Sequence, residues 1–315
     1  KVHFLLQPVK TQKDFAEDEV IGAIEESPNV MLSISTEKLG KDKARLASPL
    51  LAPNGRSYDH IFDYLLHGVK AMRAVWTPGI TKDIFLRTVP VDYEVMRRSA
   101  ALLASFLDQA STVLVRSPSG ADIVFSILGR KAMLDDGDFR YPGKGGNLPA
   151  GEVFISPALK SAEGTIVFDG SISDIERDIV IEEPIVCTVR GGYVIGIEGG
   201  NEAKRLDTAL IQGLSMASDL VSEQGMSPEM ALAYGTNARH LGEFGIGLNP
   251  AAHISGNMLE DEKIMGTIHF AIGSNYDEDA PALIHLDGLV RFPTVVLLMP
   301  TGEEIAIMEQ GVLAL

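Results

Sequence analysis

Residues 266–287 read GTIHFAIGSNYDEDAPALIHLD. In an extended chain successive side chains alternate between faces, so Thr267, His269 and Ala271 share one side while Ile268, Phe270 and Ile272 share the other. His269 therefore stands on the less apolar side of a strand composed for burial. Beyond Tyr276, the same period of two aims His285 and Asp287 in one direction and Leu286 in the opposite one. Two imidazoles, a carboxylate and a phenol are gathered in one short stretch, and buried ionisable groups are costly unless they are paired or bound to metal. The His-x-Asp spacing makes His285 and Asp287 a candidate chelating pair.

Outward from this stretch, two further carboxylates stand in unusual contexts. Glu152 follows NLPAG and leads into the apolar run VFIS, at the mouth of a buried element. Glu243 is flanked by glycines in LGEFGIGLNP, where small neighbours let another group approach the backbone.

The 315 residues exceed one ordinary hydrophobic core and suggest two domains. The first part alternates strand-like and helix-like segments: VHFLL, KDFAEDEVIGAIEE and NVMLSIS. A helical stripe follows from Ser57 to Val75, and a second helix over Tyr93 to Ala110 carries Val95, Met96, Ala100, Leu103 and Phe106 inward. After the Gly-, Pro- and Asp-rich stretch 134–149 the texture becomes strand-rich, interrupted by a helix from Glu202 to Gln224 with Gly225 as its stop. The expected organisation is an α/β N-terminal domain over 1–145 and a strand-rich α+β C-terminal domain over 146–315 that carries the metal-type residues.

A net charge of −16, from 27 basic and 43 acidic residues, disfavours nucleic acid and anionic membranes as partners. The longest apolar runs, such as 295–299, fall far short of a bilayer span. The opening KVHFLLQPVK lacks the features of a secretory signal. Cys187 is the single cysteine; it excludes an internal disulfide, fits a reducing compartment and hence a cytoplasmic location, and reads as inert packing in IVCTV.

Five fragments in order, NLPAGEVFISP, GTIVFDGS, GEFGIGLNP, GTIHFAIGSNY and IHLDG, resemble the motifs of the thermophilic-type leucyl aminopeptidases, the aminopeptidase T and S family. The likeness covers roughly Tyr93 to Val290. It implies that Glu152, Glu243, His269, His285 and Asp287 hold two divalent ions, with Glu243 bridging, and that Tyr276, seven residues after His269, is the active-site tyrosine. It also implies a homodimer that encloses its active sites.

Three carboxylates with two imidazoles suit Zn, Co, Mn or Fe rather than a soft metal. On this reading the chain is a metal-dependent exopeptidase acting on short peptides: a metal-activated water attacks, Tyr276 stabilises the oxyanion, and Glu152 or Glu243 carries the proton. The same scaffold also resembles iron-dependent enzymes that cleave dihydroxypyridine rings with oxygen, for which a His, His, Asp triad would serve one Fe(II). Glu152 and Glu243 beside Tyr276 favour the two-metal peptidase. A non-catalytic binding relative is the third reading.

Against these stand plainer accounts. A lone histidine on an apolar strand is ordinarily a satisfied core residue, and Tyr276 in SNYDED fits a turn. Asp135, Asp136 and Asp138 fit a solvated turn, Asp277 to Asp279 an exposed acidic loop, and His240 and His253 the surface.

Overall fold

The computed structural model describes residues 1–10, 14–224 and 227–315, so Gly225 lies outside the described residues. The fold is α+β, with helices and large multi-strand sheets. The residues group into two compact units, 1–90 with 137–150 and 91–136 with 151–315. The stretch 91–136, which the sequence reading set with the N-terminal part, belongs to the second unit.

The first unit contains a parallel three-stranded sheet in the order Val30–Ser33, Arg73–Trp76, Gly145–Asn147. Val20, Ile24, Leu65, Leu66 and Met72 are among its buried core. The single helix expected over 57–75 is instead broken into the strand Ser57–Tyr58, a short turn Ile61–Asp63 and the π-helical Tyr64–Gly68. Leu65 and Met72 still reach the core, but Lys70 at φ 54° turns the chain out of helical geometry and Val75 enters a strand. No strand forms at VHFLL, where Val2 and Phe4 are exposed.

The second unit holds two antiparallel sheets. The seven-stranded one runs Asp178–Val180, Ser171–Ser173, His285–Arg291, Thr267–Gly273, Leu241–Gly247, Glu152–Ile155, Met133–Asp135. The eight-stranded one has Asp122–Ser126 and Thr112–Arg116 at its centre. Phe125 of the latter meets Phe244 and Phe270 of the former at ring-centroid distances of 5.3 and 5.8 Å, so the apolar faces of the two sheets close on a shared aromatic core. The helix Tyr93–Leu107 starts at Asp92, whose carboxylate accepts from the amides of Glu94 and Val95. It buries Met96, Ala100, Leu103 and Leu107, while Val95, expected inward, is exposed. The helix Asn201–Gln224 is as expected; a further one, Pro228–Asn237, capped by Ser227, was not anticipated.

One irregularity positions the site. Leu241 pairs with Ile272, yet Glu243 pairs with Ala271, a bulge at Gly242. Directly opposed residues share a face, so Leu241 goes to the apolar side and Glu243 to the other, although residues two apart in a regular strand would agree. A Cβ on Gly242 would stand 2.3 Å from the Ser274 carbonyl oxygen, which leaves glycine as the residue that fits.

Candidate metal centre

The strand register assembles the candidate residues. Glu243 lies opposite Ala271, which lies opposite Asp287, so both carboxylates stand on the face that His269 shares with Ala271. His285 is two residues from Asp287 on the same strand, and Glu152 pairs with Gly247, four residues along from Glu243. Gly245, between Glu243 and Gly247, lies opposite His269 and gives the ring room. All five groups therefore project from one face of adjacent strands, and the alternation read in 266–287 is the one observed.

The side chains meet. His269 Nε2 lies 3.0 Å from Glu243 Oε1 and 3.4 Å from Glu152 Oε2. His285 Nε2 lies 3.3 Å from Glu243 Oε2 and 3.5 Å from Asp287 Oδ1. Two three-donor groups result, Glu152 with Glu243 and His269, and Glu243 with His285 and Asp287, joined through Glu243. His285 Nδ1 donates to the Ser274 carbonyl at 2.9 Å, which fixes the ring and turns Nε2 toward the carboxylates.

Electrostatics bind the set together. Burial alone would raise the Glu243 carboxyl, but hydrogen bonds from His269 and His285, with their charge, bring it down to about 2. Burial works against an imidazolium at His269, yet the Glu243 hydrogen bond and the charges of Glu152, Glu243 and Asp287 lift it to about 9. His285 is held well above its ordinary value against burial, with Asp287 the leading cause. Glu152 Oε2 is buried without a hydrogen-bond partner, and this orphaned oxygen beside two imidazoles and two more carboxylates fits a divalent ion of the Fe, Mn or Zn type.

Tyr276 borders the cluster. Its ring stands 5.3 Å from His285 at 70° and 5.1 Å from Phe154, so the rings of His285, Tyr276 and Phe154 form one aromatic row. Half of Tyr276 is exposed, while its phenol is pushed up by burial of the hydroxyl end and by Glu243 and Asp287, with His285 opposing. Its loop is held by Arg130, which pairs with Asp279 at 2.8 Å and Asp277 at 3.6 Å. Asp277, Glu278 and Asp279 are exposed, as an acidic loop should be, and Arg130 ties two of them down.

Sequence reasoning missed Lys263. It is fully buried and donates to Glu152 Oε1 and Glu262 Oε1, with Asp135 Oδ2 at 3.4 Å. The three carboxylates hold it well above the ordinary lysine range although burial opposes, and burial pushes Glu262 up to about 8, with Glu152 and Asp287 adding and Lys263 opposing. Asp135 is thus no part of a solvated turn: it ends the strand Met133–Asp135, buried opposite Glu152. The one available signal was a lysine directly ahead of an apolar strand in DEKIMGT, and solvated lysines are far commoner than buried ones. His240 is buried as well, 5.4 Å from the Tyr193 ring, whereas the His253 side chain is 60% exposed.

The family model described as NicX: 2,5-dihydroxypyridine 5,6-dioxygenase matches residues 80–297, a span that holds every candidate residue above. A curated protein named 2,5-dihydroxypyridine 5,6-dioxygenase, from Pseudomonas putida, is 30% identical over 139 residues, 44% of this chain. The match spans 38% of that relative's length. Among solved structures, 2,5-dihydroxypyridine dioxygenase from Pseudomonas putida superposes with a TM-score of 0.66 at 18% identity, covering 99% of this chain and 81% of that one. Wild-type AmpT from Thermus thermophilus superposes with a TM-score of 0.62 at 17% identity, covering 95% and 79%. At these identities both structures speak for the fold alone.

These matches correct the reading of the chain as a metalloaminopeptidase. The family model and the curated relative are dioxygenases, so the assignments to the aminopeptidase family, to peptide hydrolysis and to the hydrolases are overturned. The reason is physical: the fold is shared by AmpT and by the dioxygenase, and motifs that belong to a scaffold do not by themselves select a reaction.

Proposed function

The chain belongs to the NicX, 2,5-dihydroxypyridine 5,6-dioxygenase family, and on that premise we propose that it opens a dihydroxylated pyridine ring with molecular oxygen, using one divalent iron. The observation that carries the reading is the family match over 80–297, which takes in Glu152, Glu243, His269, Tyr276, His285 and Asp287 together. The donor set supports it. His285, Asp287 and Glu243 form one three-donor group, and His269 reaches Glu243 from the other side.

These residues would hold the ion, and a redox-active iron bound there would supply open positions for oxygen and for a ring hydroxyl. The remaining chemistry is the protein's own. The row of Phe154, Tyr276 and His285 offers a flat heteroaromatic ring faces and edges to pack against at aromatic contact distances. Tyr276, its phenol kept protonated, is a hydrogen-bond donor at the rim. Glu152, with one buried oxygen that has no hydrogen-bond partner, is the carboxylate of this face that would take a proton from a ring hydroxyl. Both atoms of oxygen enter the opened product, so the reaction needs no external reductant.

The test is anaerobic reconstitution with Fe(II), followed by oxygen-electrode measurement on adding 2,5-dihydroxypyridine. One oxygen consumed per ring, with loss of the heteroaromatic absorbance, is expected. Protein that retains iron and takes up no oxygen with this ring or with other dihydroxylated pyridines would overturn the proposal.

A further inference from the structure

Lys263 has no exposed surface, and its ammonium is the shared partner of three carboxylates: Glu152 and Glu262 accept from it and Asp135 stands 3.4 Å away. All three acids are buried or nearly so, with side-chain exposures of 8%, 16% and 7%. Three converging carboxylate oxygens around one positive point are the donor set of a hard divalent cation, and here that point is a covalently tethered amine. Glu152 joins this nest to the candidate metal centre: Oε1 takes the ammonium, while Oε2 is buried, unpartnered and 3.4 Å from His269.

We propose that Lys263 fills a latent further cation site, made of Glu152, Asp135 and Glu262, so that this nest adds no ion to the neighbouring centre. The proposal rests on the one-iron reading given above. The tethered charge does two things a second metal would otherwise do: it compensates the buried acids, and it turns Glu152 so that one defined oxygen faces His269. An amine has no empty orbital to accept an oxygen ligand, so the nest stays occupied and chemically silent. A buried lysine is rare because the uncompensated charge is prohibitive; with three carboxylates around it the arrangement is closed.

Removing the amine while leaving space should open the latent site. In Lys263→Ala, metal content measured by elemental analysis after equilibration with Mn(II) and gel filtration should rise from one to two ions per chain. In the double variant Lys263→Ala, Asp135→Asn it should return to one. Lys263→Met, which fills the volume without a charge, should stay at one. If Lys263→Ala does not fold in metal-free buffer, its far-UV circular dichroism and thermal transition should be restored by Mn(II), and the same addition should not restore Lys263→Met. A folded Lys263→Ala that binds no more ions than the wild type, or an unfolded one that Mn(II) does not restore, would overturn the proposal. A wild-type count of zero would instead overturn the metal-dependent reading itself, and a wild-type count of two its one-iron form, so the failures are distinguishable.

Discussion

The imidazole of His269 lies against the bare backbone of Gly245: a Cβ built on that glycine would stand 2.0 Å from Nε2 and 2.1 Å from Cε1. The two residues are direct partners across adjacent strands, so the ring leans over its neighbour to reach Glu243 and Glu152. Gly245→Ala should push the ring out of place. Overpacking of this kind costs about 1–3 kcal/mol, and loss of one positioned ligand should weaken metal binding by roughly 10–100-fold. Equilibrium dialysis against Fe(II) or Mn(II), alongside a thermal melt, checks both; wild-type affinity in the variant would refute the contact.

The metal-free protein should have a stability plateau bounded on both sides by this cluster. Glu243 is held at about 2 against an ordinary 4.5, so its contribution is complete above the unfolded value and is lost as pH falls through about 2. His269 is raised from 6.5 to about 9, so its contribution is complete below 6.5 and is lost as pH rises through about 9. Melting temperature measured in chelator should therefore fall from pH 6.5 to 9. Added metal, which requires neutral imidazoles, should flatten that limb. An alkaline limb unaffected by metal would count against ligation by His269.

Arg130 fastens the loop that carries Tyr276, through Asp279 and Asp277. The pair is partly exposed, so its loss in Arg130→Ala should cost only about 1 kcal/mol of global stability. The local effect should be larger: faster proteolysis within 274–284 and a rise in KM for the ring substrate that exceeds any fall in kcat. Equal loss in both parameters, with unchanged proteolysis, would show that the loop does not depend on this clamp.

Cys187 is packed in the strand Ile185–Arg190, and burial pushes its thiol up to about 12. A folded sample at pH 8 should leave it unlabelled by a thiol-reactive disulfide reagent, with one equivalent released on denaturation. Stoichiometric labelling within minutes in native buffer would contradict the packing.

The site face was legible in the sequence wherever it depended on local alternation. The period of two placed His269 with Thr267 and Ala271, and His285 with Asp287, as the strands have them. What the chain could not announce was partnership across strands: that Glu243 stands one Ala271 away from Asp287, or that Asp135 and Glu152 close on Lys263. Such pairings depend on strand order, which no window of adjacent residues contains. The helical stripe over 57–75 misled because recurrence at three and four describes which residues are buried, and Leu65 and Met72 satisfy it from a π-turn and a connecting segment. The choice of reaction was least legible, because the same carboxylate and imidazole set suits hydrolysis and oxygenation alike, and only the comparison over 80–297 separated them.

The extra residue at Gly242 makes the strand Leu241–Gly247 two half-strands out of phase by one position. Exchanging one side chain for another leaves the count intact and the phase with it, so the bulge responds to chain length more than to composition. Losing a single residue there would force one half onto the wrong side: Leu241 into the polar cleft, or the carboxylate of Glu243 among the phenylalanines. An insertion or deletion at this point therefore disturbs the site face of this strand where a substitution of similar size would not.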